Sequence, residues 1–308
     1  MTTGKVQKNQ INGFILINKP KGITSFDVIR KLRKLLPTKK MGHMGTLDPN
    51  ATGLLPVAVG KATRLSQFLL NSEKEYRACI RLGRSTTTYD ADGETVGDVV
   101  DPPALTEEQI SDHLKSFLGE IEQIPPMYSA KKVEGKRLYQ YAREGQTVEP
   151  EACSVHIYDI QLLEYTKDYL EINVSCSSGM YVRSLAHDLG QKIGCGAFLE
   201  DLTRVRVGTL KLDQAFDLER LETMTSENDH SYLYPAHDLL PGFPKIELND
   251  TQINRIKNGN HVILQNPTIK DREFVRLFDI SGLMVAIGVV TKPFGSMQTQ
   301  IHPKVVFH

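Results

Sequence analysis

The feature that most constrains this chain is a glycine-rich loop, Gly42 to Gly53, that is followed by the apolar run Leu54 to Val59. The three glycines of the loop allow tight turns in which the backbone can approach a ligand. Pro49 favours an extended backbone at Asp48 and thereby fixes the direction of its carboxylate. The pattern predicts a loop that presents one acid, although an Asp-Pro step taken alone also fits a turn or a helix cap.

The spacing of apolar residues predicts helices and strands on both sides of this loop. Ser25 is expected to cap an amphipathic helix that Pro37 ends, and Thr106 with Gln109 has the pattern of a capping box for a second helix. Strands with period-two alternation are expected at Gly13 to Asn18, Glu75 to Leu82, Ser154 to Tyr165 and Tyr169 to Cys176.

From Met180 onward the sequence predicts one more helix, a linker and a group of short strands. A helix that begins near Met180 is expected to end at Gly194. The mostly polar stretch Thr223 to Asp229 predicts a linker. Beyond Pro244 the pattern predicts short strands and turns. These patterns predict a small β-rich module at the C-terminus.

Charge is distributed unevenly along the chain, although its 37 basic and 37 acidic residues cancel. Residues 1–75 carry 13 Lys and Arg against 4 Asp and Glu, whereas residues 90–122 carry 10 acids and one base, Lys115. An excess of positive charge is what neutralisation of phosphates requires, so the basic part is a candidate RNA surface. Two solvated faces without a partner are the competing interpretation.

A second basic segment, Ile124 to Gly145, interleaves tyrosines with lysine and arginine. Its candidate RNA-binding residues are Lys131, Lys132, Lys136, Arg137 and Arg143. Basic side chains beside aromatic faces suit looped or single-stranded RNA, where stacking contributes roughly 1–3 kcal/mol per base. An ordinary surface hairpin with half-buried tyrosines would have the same composition.

Several classes of function lack their signatures. Gly60-Lys61 lacks the earlier glycine of a P-loop, and the chain contains no G-x-G-x-x-G opening a helix, no G-x-S-x-G elbow and no H-E-x-x-H helix. The four cysteines form no C-x-x-C pair and the nine histidines have no ligand spacing, so no metal site is expected. No apolar run approaches about eighteen residues and no secretory signal is evident, which predicts a cytoplasmic protein without a membrane partner.

The glycine-rich loop continues as GHMGTLDPNATGLLPVAVGKATR, and this string resembles the signature of the TruB family of tRNA pseudouridine synthases. Further segments resemble motifs of the same family in the same order: NKPKGITS, EKEYRACIRLG, PPMYSAKKVEGKRLYQYAREG, SGMYVRSLAHDLG and FLEDLTRVRVG. The resemblance is strong over residues 13–208. Residues 244–308 are only weakly similar to the PUA-type RNA-binding module that closes such proteins.

The resemblance implies a fold class and a division into domains. The expected class is α+β, with a mixed, mainly antiparallel sheet flanked by helices in a catalytic domain over residues 11–243. An RNA-gripping insertion is expected at about 124–150 within that domain. A small β-rich, PUA-like domain is expected over residues 244–308.

The resemblance also implies a reaction: isomerisation of uridine 55 in the T-arm of tRNA, after base flipping and without a cofactor. Asp48 would be the nucleophile, attacking either C6 of uracil or C1′ of ribose, Arg183 would pair with it, and Tyr76 would stack on the flipped base. The residues expected to bind the substrate are His43, Tyr181, Leu202 and Lys19. The expected partner is tRNA alone, bound by a monomer with no protein partner.

Other interpretations fit some of these residues. Taken singly, Tyr76 and Leu202 could be core residues, and Arg183 could form a surface ion pair. An RNA chaperone that opens a tRNA arm without chemistry would use the same binding surfaces. A glycosidase-like hydrolase with an aspartate nucleophile would need a second, partnered carboxylate, and the loop around Asp48 offers none.

Overall fold

The computed structural model describes residues 11–129, 131–146, 148, 150–264, 269–292 and 298–307, without the side chains of Tyr139 and Arg143. The helices of this part are α1 (Ser25–Leu35), α2 (Ser66–Leu70), α3 (Glu107–Lys115), α4 (Leu138–Arg143), α5 (Val182–Ile193), α6 (Leu218–Ser226) and α7 (Asp250–Lys257). Short 3₁₀ turns lie at Gly60–Leu65, Leu212–Gln214 and Ala236–Leu239. None of the helices described is long and apolar enough to cross a bilayer.

The strands lie singly or in groups before, between and after these helices. They are β1 (Gly13–Lys19), β2 (Met41–His43), β3 (Thr52–Val59), β4 (Lys74–Leu82), β5 (Ser85–Thr86), β6 (Thr95–Val96), β7 (Gly119–Gln123), β8 (Lys132–Val133), β9 (Lys136–Arg137), β10 (Cys153–Tyr165), β11 (Tyr169–Cys176), β12 (Ala197–Val207), β13 (Leu210–Lys211), β14 (Lys245–Glu247), β15 (Val262–Leu264), β16 (Phe274–Phe278), β17 (Met284–Thr291) and β18 (Thr299–Val306).

Nine of these strands form one sheet in the order β1-β3-β12-β4-β11-β10-β7, with β2 beside β3 and β13 beside β12. The pairing of β3 with β12 is parallel, and the other pairings are antiparallel. A separate five-stranded sheet has the order β14-β16-β17-β18-β15. The predicted α+β class, with a mainly antiparallel sheet and a β-rich C-terminal part, is confirmed. The domain boundary at residue 243 stays a prediction.

Strand β1 is buried on both faces, which shows how the layers are arranged. Ile15 and Ile17 point into one core cluster, which also contains apolar residues of α1, α3 and α5. Phe14 and Leu16 point into a second cluster, which includes residues of β16, β17 and β18. The large sheet therefore lies between a layer of helices and the C-terminal sheet, and burial of both faces explains the nearly continuous apolar sequence of β1.

Aromatic contacts fasten the C-terminal sheet to the rest of the molecule. Phe68 of α2 meets Phe243 and Phe274 edge to face, with ring centroids 5.5 and 5.0 Å apart. Arg64 Nη1 also donates to the carbonyl of Val306 at 2.9 Å. Edge-to-face pairs of this kind are favourable beyond the area that they bury, so the orientation of the C-terminal sheet is held by specific contacts.

The structure corrects the predicted start of α1. Thr24, and not Ser25, is the N-cap: its hydroxyl accepts from the amide of Asp27 at 3.0 Å, and the Asp27 carboxylate accepts from the Thr24 amide at 2.8 Å. Asp27 stands three positions after Thr24, so only Thr24 can complete this reciprocal capping box. Ser25 is left free to bond the loop that contains Asp48.

Two further predictions were wrong near the C-terminus. The expected linker from Thr223 begins as the last turn of α6, because Leu218, Leu221 and Met224 recur at helical spacing and are buried. The C-terminal part also contains a helix, α7, where only strands and turns were expected. Asn249 caps α7 by accepting from the amide of Gln252 at 2.9 Å.

Gly53 of β3 lies directly against the backbone of β12. Its φ of +96° lies in the left-handed region, and a Cβ built there would lie 2.4 Å from the carbonyl oxygen of Arg204 and 2.8 Å from its nitrogen. Gly53 and Arg204 face each other in the parallel pairing of the sheet. Only glycine permits this approach, which places the Asp48 loop beside β12.

We predict that Gly53→Ala lowers the free energy of unfolding by at least about 3 kcal/mol, because the methyl group would collide with the backbone of β12 and strain φ. Gly22→Ala is the matched control, since Gly22 has a φ of +88° but, apart from its chain neighbours, no atom of the described residues lies within 4 Å of its Cβ position. It should lose only about 1–2 kcal/mol, from backbone strain. Urea unfolding measures both values, and equal losses would contradict the close approach.

Candidate active site

Hydrogen bonds fasten the Asp48 loop on both of its sides. The Ser25 hydroxyl donates to the Leu47 carbonyl at 2.9 Å and accepts from the Leu47 amide at 2.8 Å. On the other side, the carbonyl of Pro49 accepts from Lys19 Nζ at 3.0 Å. Asp48 therefore lies in a fixed loop and not at a helix terminus, which removes the interpretation as a helix cap.

Arg183, the second residue of α5, lies against Asp48 and is only 5% exposed. One of its nitrogens, Nη2, is 3.0 Å from Oδ2 of Asp48 and donates to the carbonyl of Tyr128 at 2.9 Å. The other, Nη1, lies 3.4 Å from the carbonyl of Thr88 and 3.4 Å from Oδ2 of Asp90. The guanidinium is a buried centre with several acceptors and not a surface ion pair.

Asp90 is a second carboxylate at the site, and it comes from outside the Asp48 loop, which itself offers none. It belongs to the segment between β5 and β6, far from the Asp48 loop in sequence, and this is why the loop alone did not reveal it. Its Oδ1 accepts from the Thr88 hydroxyl and from the Asp92 amide at 3.1 Å. The two carboxylates share one guanidinium.

Burial raises the pKa of the Asp48 carboxyl above its ordinary value. The Arg183 guanidinium and the Lys19 ammonium oppose this rise, whereas the Asp90 carboxylate adds to it. Asp48 keeps 45% of its side-chain surface open, so the desolvation is incomplete. The cations around Asp48 thus reduce the effect of burial on its pKa without reversing it.

A cavity of about 270 Å³ opens beside Asp48. Its walls bring Asp48 and Arg183 together with three other predicted residues, Tyr76, Tyr181 and Leu202. Tyr76 comes from β4 and is 7% exposed, Tyr181 immediately precedes α5, and Leu202 lies in the middle of β12. Burial raises the pKa of the Tyr76 phenol, so this group is neutral near pH 7.

Lys19 lies beneath the loop and does not line this cavity. It is completely buried, and its Nζ donates to the carbonyls of Pro20, Ile23 and Pro49 at 2.9, 2.7 and 3.0 Å. Burial lowers the pKa of Lys19 to about 8, although Asp48 acts in the opposite direction. These contacts make Lys19 a support of the loop, and its expected binding of substrate stays a prediction.

His43, at the end of β2, is also absent from the cavity walls. It is half-buried, and burial lowers the pKa of its imidazole. Its Nδ1 is buried without a hydrogen-bond partner among the described residues. A buried polar atom of this kind is unfavourable until a partner arrives, so His43 retains an open hydrogen-bonding position.

Arg204 and Lys74 line the cavity and were not predicted. Arg204 is 1% exposed and donates to the carbonyls of Leu54 and Gly45 at 2.8 and 3.1 Å. Lys74 donates to two backbone carbonyls of the preceding turn, and burial, followed by the nearby Arg204, lowers its pKa to about 8. Neither takes part in an ion pair within the described part of the chain. Both therefore leave the cavity rich in positive charge.

The insertion reaches the site through its first residues. Gln123 exchanges two hydrogen bonds with the backbone of Tyr181, at 2.7 and 3.0 Å, and the Ser184 hydroxyl donates to the carbonyl of Ile124 at 2.8 Å. Ser129 is 4% exposed and lines the cavity, and its hydroxyl has no hydrogen-bond partner among the described residues. The root of the insertion, residues 123–129, is thus hydrogen-bonded directly to α5 and to the residue before it.

The basic residues predicted to bind RNA are Lys131, Lys132, Lys136, Arg137 and Arg143. Lys132 and Arg137 are exposed. Lys131 donates to the carbonyl of Glu151, two residues before β10. Lys136 pairs with Glu144 and lies 4.5 Å from the ring centre of Tyr141. The side chain of Arg143 lies outside the described residues. Those that are described do not line the cavity.

Comparisons with known proteins decide the family. The model of the TruB family pseudouridylate synthase N-terminal domain matches residues 33–182, and that of the tRNA pseudouridylate synthase B C-terminal domain matches residues 183–241. The chain belongs to the TruB family of pseudouridine synthases. The two TruB matches include the Asp48 loop, β4, the insertion, α5 and β12, and so contain each residue that lines the cavity.

Individual relatives agree with this TruB assignment. The tRNA pseudouridine synthase B of Solibacter usitatus is 43% identical over 301 residues, which are 96% of this chain and 100% of that protein. The enzyme of the same name from Clostridium tetani is 42% identical over 81% of this chain and 85% of its own length. A chain in an H/ACA RNP bound to a substrate RNA containing 2′-deoxyuridine matches with a TM-score of 0.73 at 26% identity, over 96% of this chain and 85% of that one.

The lowered pKa of Lys74 predicts that stability depends on pH. Unfolded lysine keeps its proton up to its ordinary pKa of 10.5, whereas folded Lys74 loses it near pH 8. The unfolded state therefore binds more protons between these values, and stability rises with pH in that window. Relative to Lys74→Met, which lacks this group, the wild-type free energy of unfolding should rise by on the order of 3 kcal/mol from pH 8 to 10.5.

Urea unfolding of both proteins at several pH values measures this difference. The internal control is the range below pH 8, where folded and unfolded Lys74 both hold the proton and the difference should be flat. A difference that stays constant up to pH 10.5 would contradict the burial of an unpaired ammonium.

Proposed function

We propose that this chain converts uridine 55 in the T-arm of tRNA to pseudouridine, with Asp48 as the nucleophile and without a cofactor. The observation that carries the proposal is the contact of Asp48 with the buried Arg183 in a cavity that Tyr76 and Tyr181 also line. The TruB relatives that carry the name tRNA pseudouridine synthase B support tRNA as the substrate.

The reaction conserves atoms, because it only changes which uracil atom is bonded to ribose. The bond between N1 and C1′ breaks, the uracil turns in place, and a bond forms between C5 and C1′. C5 then loses its proton and N1 gains one. Asp48 forms a transient bond either to C6 of uracil or to C1′ of ribose, and Arg183 keeps its carboxylate oriented for that attack.

Tyr76 and Tyr181 supply the walls that such a turning base requires. An aromatic ring can hold a pyrimidine by stacking while leaving it free to rotate in its own plane. Tyr76 carries a neutral phenol beside the proposed nucleophile and is our candidate for moving the C5 proton. Leu202 completes the apolar part of the pocket.

Base flipping requires that the protein grip the surrounding RNA, since unstacking a base costs a few kcal/mol. The insertion with its exposed Lys132 and Arg137 and the basic surface of α1 are the candidates for this grip. His43, with its open Nδ1, is proposed to contact bases beside the flipped uridine. The C-terminal sheet is proposed to act as a PUA-like RNA-binding module, and the protein to act as a monomer.

Asp48→Asn tests the chemistry. The variant should bind T-arm RNA but form pseudouridine at least about 10³-fold more slowly, because an amide is not a nucleophile. Asp112→Asn is the matched control: Asp112 is an exposed acid of α3 that pairs with Lys115 and does not line the cavity. Its rate should stay within about threefold of wild type, as for a partly exposed ion pair.

Mass mapping of pseudouridine in the RNA, with the purified protein and no additive, is the measurement. Product at the normal rate from Asp48→Asn would remove the mechanism. Binding without product from the wild type would support an RNA chaperone, and release of free uracil would support a hydrolase that uses Asp48 and Asp90.

The insertion is tested by the salt dependence of RNA binding. Lys132→Ala should weaken binding and reduce the slope of log K against log salt by about one, as expected for the loss of one phosphate contact. Lys115→Ala is the matched control, because Lys115 is an exposed lysine that pairs with Asp112 on α3. Filter binding over a range of salt concentrations gives the slopes of wild type and of both variants. A Lys132→Ala slope equal to that of wild type would exclude a phosphate contact at Lys132.

A further inference from the structure

The segment that carries Asp90 is held in an unusual backbone conformation. Tyr89, immediately before Asp90, has a φ of 62°, in the left-handed region that residues with a side chain rarely adopt. Such a conformation persists only where surrounding contacts enforce it. The contacts that enforce it here therefore determine where the Asp90 carboxylate points.

A stacked pair of rings is one of the side-chain contacts that hold this segment. The ring of Tyr89 lies flat on the imidazole of His187, with centroids 4.0 Å apart and an interplanar angle of 15°. His187 stands four residues after Arg183 on α5, so both project from the same face of the helix, one turn apart. Helix α5 therefore touches the segment twice, through Arg183 at Thr88 and Asp90 and through His187 at Tyr89.

Backbone contacts fix the opposite side of the segment. The carbonyl of Tyr89 accepts from the amide of Leu199 at 2.9 Å, and the carbonyl of Asp90 accepts from the Thr86 hydroxyl at 2.7 Å. Tyr89 immediately precedes Asp90, so movement of Asp90 away from Arg183 would also separate the two stacked rings. The ring pair therefore opposes that movement.

The imidazole of His187 contacts Tyr89 through the face of its ring and not through a ring nitrogen. Its Nδ1 is buried without a hydrogen-bond partner in the described part of the chain, and burial lowers the pKa of the ring, which favours the neutral form. Neither His187 nor Tyr89 lines the cavity. Both rings therefore stand behind the groups that would contact a substrate.

We propose that the Tyr89–His187 ring pair is a positioning device for pseudouridine formation: it holds Asp90 against Arg183, which in turn orients Asp48. Both are positioning residues, since they act through other groups. The inference rests on the proposed function. It assigns a role to two residues that lie outside the Asp48–Arg183–Asp90 contacts themselves.

The test compares His187→Ala with His187→Phe. Removing the ring should lower the single-turnover rate constant for T-arm RNA about tenfold while changing KM less than about twofold, because displacement of a catalytic contact affects chemistry more than binding. His187→Phe keeps a flat ring and should recover the rate to within about threefold of wild type. Lys192→Ala, at an exposed residue of α5 whose side chain bonds Ser116 and not the Asp90 segment, is the control and should leave the rate unchanged.

A double-mutant cycle separates positioning from general stabilisation. If His187 acts through Asp90, then His187→Ala should change the rate less than about twofold in an Asp90→Asn background. Enzyme in excess over RNA and sampling over hours keep slow rates measurable. The unfolding midpoint of each variant, measured in parallel, identifies loss of folded protein, and rates are compared at a temperature where every variant is folded.

The outcomes are distinct. An unchanged rate in His187→Ala, a failure of His187→Phe to recover the rate, or an equal effect of His187→Ala with and without Asp90 would each overturn the inference while leaving the proposed function intact. Absence of pseudouridine with the wild type would overturn the proposed function, and this inference with it.

Discussion

The candidate site depends on the burial of the Arg183 guanidinium. A buried cation is strongly unfavourable unless charges and hydrogen bonds replace the water that it has lost. Here the replacements come from three separate parts of the chain: Asp48 in the glycine-rich loop, Thr88 with Asp90 between β5 and β6, and Tyr128 in the insertion. Asn50 also donates to Asp92 at 2.6 Å and so joins the first two segments, but Arg183 is the group that all three contact.

The other buried cations near the cavity donate hydrogen bonds to backbone carbonyls instead of forming ion pairs with acids. Lys19, Lys74 and Arg204 are buried, and each is satisfied by carbonyl oxygens. A carbonyl satisfies the hydrogen-bond donors of a cation but does not neutralise its charge. The walls of the cavity therefore carry Lys74, Arg183 and Arg204 against Asp48, although the chain as a whole has no net charge, and this local excess of positive charge attracts a polyanion such as RNA.

The sequence predicts those parts of the fold that depend on local pattern. Strand β4 and the capping box of α3 were predicted because alternation and capping are contacts between near neighbours. The cap of α1 was assigned one residue late because Thr24 and Ser25 are both good caps, and only Asp27 distinguishes them. Lys74 could have been found, since it continues the inward phase of Tyr76 and Ala78.

Other parts of the site have no local signature. Asp90 reaches Arg183 across 93 positions of sequence, and Arg204 bonds the carbonyl of Leu54 across 150. Carbonyls occur at every residue, so a cation that they bind leaves no pattern of partner types in the sequence. Similarity to the TruB family predicted that Asp48, Tyr76, Tyr181 and Arg183 share one site. The contacts that support them required the fold.

The hydrogen bond from Arg183 to the carbonyl of Tyr128 has a consequence for how such an enzyme can evolve. The segment proposed to hold RNA and the group proposed to steer the nucleophile share this bond. A substitution at the root of the insertion that raises the affinity for RNA also shifts the Tyr128 carbonyl, which is an acceptor of Arg183. Selection for tighter RNA binding and selection for faster turnover therefore act on the same few atoms. Variants that alter one property in isolation should therefore arise at the tip of the insertion, at residues such as Lys132, and seldom at its root.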